Sequence, residues 1–175
     1  LKGMDIRVME QWAFDLMLDL GANPIKMPLS EMYEGLQKGV IDGVLLCESH
    51  YLSENLTEYV SYMTDLRITP APCVWTYMNK GVYDKLSANQ QKVVSEASAD
   101  FEVALTAAYT TWDNEAAEAA QKNGVEMFSI TDAEVDTLVE LAQANAQEQV
   151  QKLNDAGYDG TGIYEELQKL IDARK

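Results

Sequence analysis

Basic residues are scarce in this chain: lysine and arginine total 13 against 29 aspartates and glutamates, a formal net charge of −16 over 175 residues. Such a surface repels phosphate backbones, and without a clustered basic patch it offers nothing to a nucleic acid. Histidine occurs once, at position 50, with no serine, cysteine or aspartate placed near it in a triad-type motif, so it reads as a solvated or core-edge side chain. Cys47 and Cys73 are the only cysteines. They are too few for a disulfide framework and lack zinc-type or CxxC spacing, which leaves one bridge in an oxidising compartment or two buried thiols. There is no GxGxxG, no P-loop and no Asp-x-Asp-x-Asp-Gly loop, so neither a cofactor nor a metal ligand set is in view, and machinery for catalysis is not visible. No run approaches the roughly 18 apolar residues of a membrane span, and Leu1-Lys2-Gly3 does not open a signal peptide.

What is present is the composition of a folded protein: 47% apolar, 24% charged and 9% aromatic residues, in a length suited to one domain or two small lobes. The chain opens on Leu1 and enters an apolar pattern at once with Met4, Ile6 and Val8, which reads as a piece of something longer.

Alternation over Met4 to Val8 predicts a strand with Arg7 pointing off its apolar face. Trp12, Phe14, Leu16, Met17 and Leu20 recur at helical spacing before Gly21, a C′ glycine. Asn23-Pro24 reads as a turn, Ile25 to Met27 as a strand, and Ser30 as the cap of a helix through Lys38 that stops at Gly39. Val40 to Leu46 predicts a buried strand reached through Asp42-Gly43, and Cys47 to about Leu56 a helix. This βαβαβ order requires a parallel sheet. Two more strands, Tyr59 to Met63 and Cys73 to Met78, are expected to extend it.

Beyond Ser87, whose Ser-Ala-Asn-Gln resembles a capping box, no glycine or proline occurs until Gly124. Val94, Ala97, Phe101, Ala104, Leu105, Ala108 and Trp112 form one stripe at steps of three and four. A helix of about 35 residues would be about 50 Å long. Val125 to Phe128 then reads as a strand, Thr131-Asp132-Ala133-Glu134 as a second capping box opening a helix to about Ala156, Gly157 to Gly162 as a loop, and Ile163, Leu167, Leu170 and Ile171 as the face of a last helix.

Ligands of open parallel sheets sit beyond the carboxyl ends of the strands. Arg7 lies there and is one of three arginines in an acidic protein. Its guanidinium presents a planar fork that matches a carboxylate bidentately, the alternative being a surface ion pair. Glu10 and Trp12 follow it, and read as a helix-start carboxylate and a core tryptophan.

The ordered segments Leu1-Lys2-Gly3-Met4-Asp5-Ile6-Arg7-Val8, Leu20-Gly21-Ala22-Asn23-Pro24, Met27-Pro28-Leu29-Ser30-Glu31-Met32-Tyr33 and Leu36-Gln37-Lys38-Gly39-Val40-Ile41-Asp42-Gly43 resemble the second lobe of the DctP-type solute-binding proteins of TRAP transporters. Met78-Asn79-Lys80 and Tyr83-Asp84-Lys85-Leu86-Ser87 resemble the same family. The resemblance implies an α/β, type II periplasmic-binding-protein-like lobe over residues 1–86. A long bridging helix and C-terminal helices follow over residues 87–175, and the family's N-terminal lobe is absent. It also implies periplasmic capture, without catalysis or cofactor, of a small organic acid for delivery to the membrane subunits of a TRAP permease. The family's ligand-pairing arginine falls on Arg7, its ligand-packing position on Leu29, and its arginine-strand loop on Glu10. Where sialic-acid-type members carry Gln-Glu-Asn-Pro this chain has Val44-Leu45-Leu46-Cys47, so that Leu46 replaces the ligand-bonding amide, which argues against sialic acid. Met9 stands where proline is usual, and the more apolar rim points to a less hydroxylated acid. The competing reading is a helical interaction module that self-associates as a homodimer over the long helix's exposed stripe, with no ligand to transport.

Overall fold

The computed structural model describes residues 1–66 and 76–173. By internal contacts the chain forms two compact units, one comprising residues 1–45, 64–66 and 128–173 of the described chain, the other residues 46–63 and 76–127.

The first unit is built on a three-stranded parallel sheet. β1 (Asp5–Val8) lies between β2 (Asn23–Lys26) and β3 (Gly43–Val44), with Arg7 opposite Ile25 on one side and Val44 on the other. Ile6 also pairs with Gly43, where an added Cβ would come within 3.1 Å of the Ile6 Cδ1, so glycine lets the strands close. α1 (Gln11–Asp19) follows β1 and turns back through Gly21, whose φ of +81° is the left-handed conformation a C′ glycine supplies. α2 (Leu29–Gln37) connects β2 to β3, ending before Gly39 at φ +65°. The core is the apolar face of this layer: Ile6, Val8, Ala13, Leu16, Met17 and Ala22, joined by Leu138 of α6 (Asp132–Asp155). α7 (Gly160–Asp172) packs on α6.

The second unit contains α3 (His50–Ser53), a 3-10 turn at Leu56–Glu58, α4 (Lys80–Tyr83) and the 35-residue α5 (Ala88–Lys122). Tyr51 and Leu56 are buried with Ala116 and Ala120 of α5. The Ser49 amide donates to the Asp113 carboxylate at 2.9 Å, and Asn123 Nδ2 donates to the Tyr51 hydroxyl at 3.0 Å. β4 (Tyr62–Asp65) and β5 (Glu126–Ser129) form a separate two-stranded sheet. The bonds from Glu126 N to Ser61 O and from Ile130 N to Asp65 O advance together, so the pair is parallel.

The expected βαβαβ order, the long helix and both capping boxes are present. Several local readings are corrected. Asn23-Pro24 is not a turn but the start of β2, an edge strand, where a proline's missing N–H costs no ladder bond on the open side. α2 begins at Leu29 after Pro28, so Ser30 lies inside it and does not cap it. The strand expected over Val40 to Leu46 shortens to two half-buried residues, and the helix expected from Cys47 shortens to one turn, ended near Asn55 in a left-handed conformation at φ +55°. β4 pairs with β5 instead of extending the first sheet, and its bounds shift to Tyr62–Asp65. Cys73 and the first half of the strand expected there lie outside the described residues, while Tyr77 and Met78 are outside any regular element. Gly160 and Gly162 belong to α7, because the Asp159 carboxylate caps it by accepting from the Gly162 amide at 2.9 Å. The stripe on α5 is largely uncovered: Phe101 is 50% exposed and Trp112 46%.

Candidate functional site

Arg7 is fully buried, the only charged or polar residue so buried among the described residues. The alternation of β1 explains its direction. Ile6 and Val8 enter the apolar core, and Arg7 projects to the other face, which is covered as well. Its Nε donates to the Met27 carbonyl oxygen at 2.9 Å, which fixes the plane of the guanidinium, and Nη2 lies 3.4 Å from the thioether sulfur of Met9. Met27 is held in turn by α2, where Gly35 leaves space for its side chain: a Cβ at position 35 would stand 3.1 Å from the Met27 sulfur. Arg7 is the penultimate residue of the central strand, at the carboxyl edge where the strands of a parallel sheet present ligands. A permanently charged fork oriented by one carbonyl, with a weak thioether acceptor on another nitrogen, is suited to receive an anion with two oxygens.

The other sequence candidates sit as follows. Glu10 is exposed and takes the N-cap position of α1 in an extended conformation, without a side-chain cap bond, its carbonyl accepting from Phe14 N at 3.1 Å. Leu29 is the first residue of α2 and half-buried, two residues beyond the carbonyl that holds Arg7. Leu46 is half-buried in the second unit, between β3 and α3, next to Leu45, whose amide donates to the Arg7 carbonyl at 3.0 Å. Arg7 and Leu29 thus belong to one corner of the first unit. His50 is half-buried with Nδ1 3.3 Å from the Cys47 carbonyl oxygen, a local contact of α3. Sequence reasoning named Met9 only as a substitution for proline and did not connect Met27 to Arg7. A backbone carbonyl acceptor leaves no residue-type signature, so only the fold could reveal it.

The groove found elsewhere in the first unit does not suit an acid. A groove of about 360 Å³ between α1, α6 and α7 is lined by Trp12, Leu16, Leu153, Ile163, Tyr164 and Leu167 among others, with no charged side chain. Among the described residues no three histidine, cysteine, aspartate or glutamate side chains gather as a metal site, and no helix is long and apolar enough to cross a membrane. Two carboxyls are held below their ordinary range, Glu34 by its bond and charge pairing with Lys38, and Glu134 by hydrogen bonds from Thr131, but both serve helices and not the Arg7 corner.

Comparison with known proteins gives a consistent result. The profile of the family described as "DctP: Bacterial extracellular solute-binding protein, family 7" matches residues 1–153. The Salmonella typhimurium protein YiiZ is 31% identical over 178 residues, covering 99% of this chain and 50% of that protein. A solute-binding protein of Albidiferax ferrireducens is 25% identical over 150 residues, 83% of this chain and 44% of that protein. The chain therefore spans about half the length of the curated relatives it matches. A TRAP solute-binding protein from Rhodoferax ferrireducens, solved in complex with copurified benzoate, shares the fold with a TM-score of 0.82 at 24% identity, covering 99% of this chain and 55% of that chain.

Proposed function

Because the chain belongs to the DctP family, family 7 of the bacterial extracellular solute-binding proteins, we propose that it takes part in capturing a small organic acid through the guanidinium of Arg7. One observation carries this reading: the single charged side chain buried among the described residues lies at the carboxyl end of the central parallel strand, oriented by the Met27 carbonyl.

In the mechanism we infer, no covalent step occurs. The carboxylate takes up a paired, charge-assisted contact with Arg7, Leu29 packs its apolar body, and Glu10 borders the seat. These three lie within residues 1–86, read here as the ligand-binding lobe, while residues 87–175 supply the long helix and the C-terminal helices. Location in the periplasm and delivery to a TRAP permease complete the proposal at the scale of the whole protein.

Titration with benzoate, followed through the backbone amide signals of residues 6–9, tests it. The wild-type chain should show saturable shifts. Arg7→Gln should weaken binding by roughly thirtyfold to a few thousandfold, since truncating one partner of a buried ion pair typically costs about 2–5 kcal/mol, with far-UV circular dichroism confirming that the fold remains. Equal affinity in the two proteins would make Arg7 a structural residue.

The exposed stripe of α5, with Phe101 and Trp112 half exposed, favours a second reading in which the helical half is a self-associating module. Light scattering after size exclusion separates the two, because the module reading requires a dimer and no Arg7-dependent response to an acid.

A further inference from the structure

The groove between α1, α6 and α7 lies wholly within the first unit and owes its shape to small residues. A Cβ at Gly160 would stand 2.6 Å from the Val150 carbonyl oxygen and 2.8 Å from the Leu153 Cβ, so glycine is what seats the start of α7 directly on α6. Ala142 and Ala146 of α6 bring only methyl groups to the lining, and about 360 Å³ remains between the three helices. The walls are apolar yet reachable from water, with Leu167 51% and Ile163 59% exposed. A volume at the lower end of the range of small-molecule sites, about 300–1,000 Å³, and a lining of aromatic rings and apolar chains with a few amides are what such a site requires. Trp12 and Tyr164 supply the rings, Asn145 and Gln149 the amides.

Charge decides the class of molecule. No charged side chain lines the groove, so an ion seated wholly inside it would give up its water without a partner. The charge at its margin is negative. Asp19 Oδ2 accepts from the Nδ2 of Asn145, a lining residue, at 3.4 Å. Together α1, α6 and α7 carry eleven carboxylates and two lysines, Lys152 and Lys169, and Lys169 is paired with Glu166 at 3.6 Å. That field attracts a positive head group and repels an anionic one.

We propose that this groove is a second binding site, separate from Arg7, for a small cation with an apolar body, an aryl- or alkylammonium. The apolar body lies against Trp12, Ile163 and Leu167, and the ammonium stays in the wet margin beside Asp19. An alcohol of the same skeleton gains the burial without the ion pair, and the matching carboxylate meets repulsion. A second copy of the chain suits the groove less well, because three helices with this excess of carboxylates would face their own charge.

The test uses the 175-residue chain labelled with ¹⁵N and ¹³C, with the Trp12 indole N–H assigned by its loss in Trp12→Phe. Phenylbutylammonium and phenylbutanol are the probes. The ammonium should move the Trp12 indole signal along a saturable curve and show Overhauser contacts from its ring to the methyl groups of Ile163 and Leu167. Ala146→Leu, which fills the groove with a good helix former, should weaken it at least about tenfold by denying the apolar body its burial. Asp19→Asn should weaken the ammonium by up to about fivefold, the range of an exposed ion pair, and leave the alcohol unchanged. Lack of a saturable Trp12 shift and of the Overhauser contacts, or equal affinity in Ala146→Leu, would overturn the site. An alcohol that binds as tightly as the ammonium, with Asp19→Asn affecting neither, would overturn the cationic class. If light scattering shows a dimer that Leu167→Asp returns to a monomer, and the ammonium leaves the Trp12 signal in place, a second copy fills the groove and the proposal falls.

Discussion

At the scale of single residues, the buried charge of Arg7 sets requirements on its neighbours. The Met27 carbonyl must be where Nε can reach it, and Met27 stays in place because α2 carries no side chain at position 35. A Cβ there would lie 3.1 Å from the Met27 sulfur and 3.2 Å from Ile41 Cδ1, so one methyl is tolerable if the sulfur yields, but a branched side chain is not. Gly35→Val is expected to lower stability by about 1–3 kcal/mol through overpacking. It should also weaken benzoate binding, because the carbonyl that orients the guanidinium shifts with Met27. A denaturation midpoint below wild type at an unchanged slope would support this, and an unaltered midpoint would show that the corner has slack. Arg7 itself was legible as a candidate from its rarity and strand position. Its burial was not, since alternation tells which face a residue takes but not whether something covers that face.

At the scale of elements, the two capping boxes proved readable, because such caps are local chemistry, whereas the cap expected at Ser30 did not form, since α2 begins after Pro28. Ser87 with Gln90 and Thr131 with Glu134 each form reciprocal bonds, and they open α5 and α6 where the sequence places them. Strand ends were less readable. The short β3 and the pairing of β4 with β5 depend on contacts between distant segments, and the apolar run Val40 to Leu46 carries no mark of where its ladder stops. Asn23-Pro24 misled because the same dipeptide suits a turn or an edge strand.

The cap of α6 also carries a pH dependence. Hydrogen bonds from the Thr131 amide and hydroxyl hold the Glu134 carboxyl below its ordinary value of 4.5. A carboxyl whose folded pKa is depressed contributes stability that is present above its unfolded value and lost as pH falls through the folded one. The difference in thermal midpoint between wild type and Glu134→Gln should therefore be seen at pH 7 and shrink as the solution is acidified below the carboxylate range. A difference that grows on acidification would contradict the assigned cap.

At the scale of the whole molecule, an acid approaching Arg7 must cross the field of a chain with net charge −16. That field opposes an anion over a range set by the Debye length, about 30 Å at 0.01 M and about 8 Å at 0.15 M ionic strength, while the buried contact is screened far less. The association rate of benzoate should accordingly rise with salt across this interval, as followed by stopped-flow or NMR exchange. A falling rate would mean that a local positive field governs encounter.

The claim on which the rest depends is that a carboxylate docks on the Arg7 guanidinium. The most direct measurement follows the side-chain ¹⁵N–H signals of Arg7 during a benzoate titration, with Arg7→Gln providing the assignment. The Nη signals are expected to shift along the same saturation curve as the amides of residues 6–9, while the Nε–H bonded to Met27 stays protected. Saturable binding of benzoate that leaves the Arg7 guanidinium signals unmoved would contradict it.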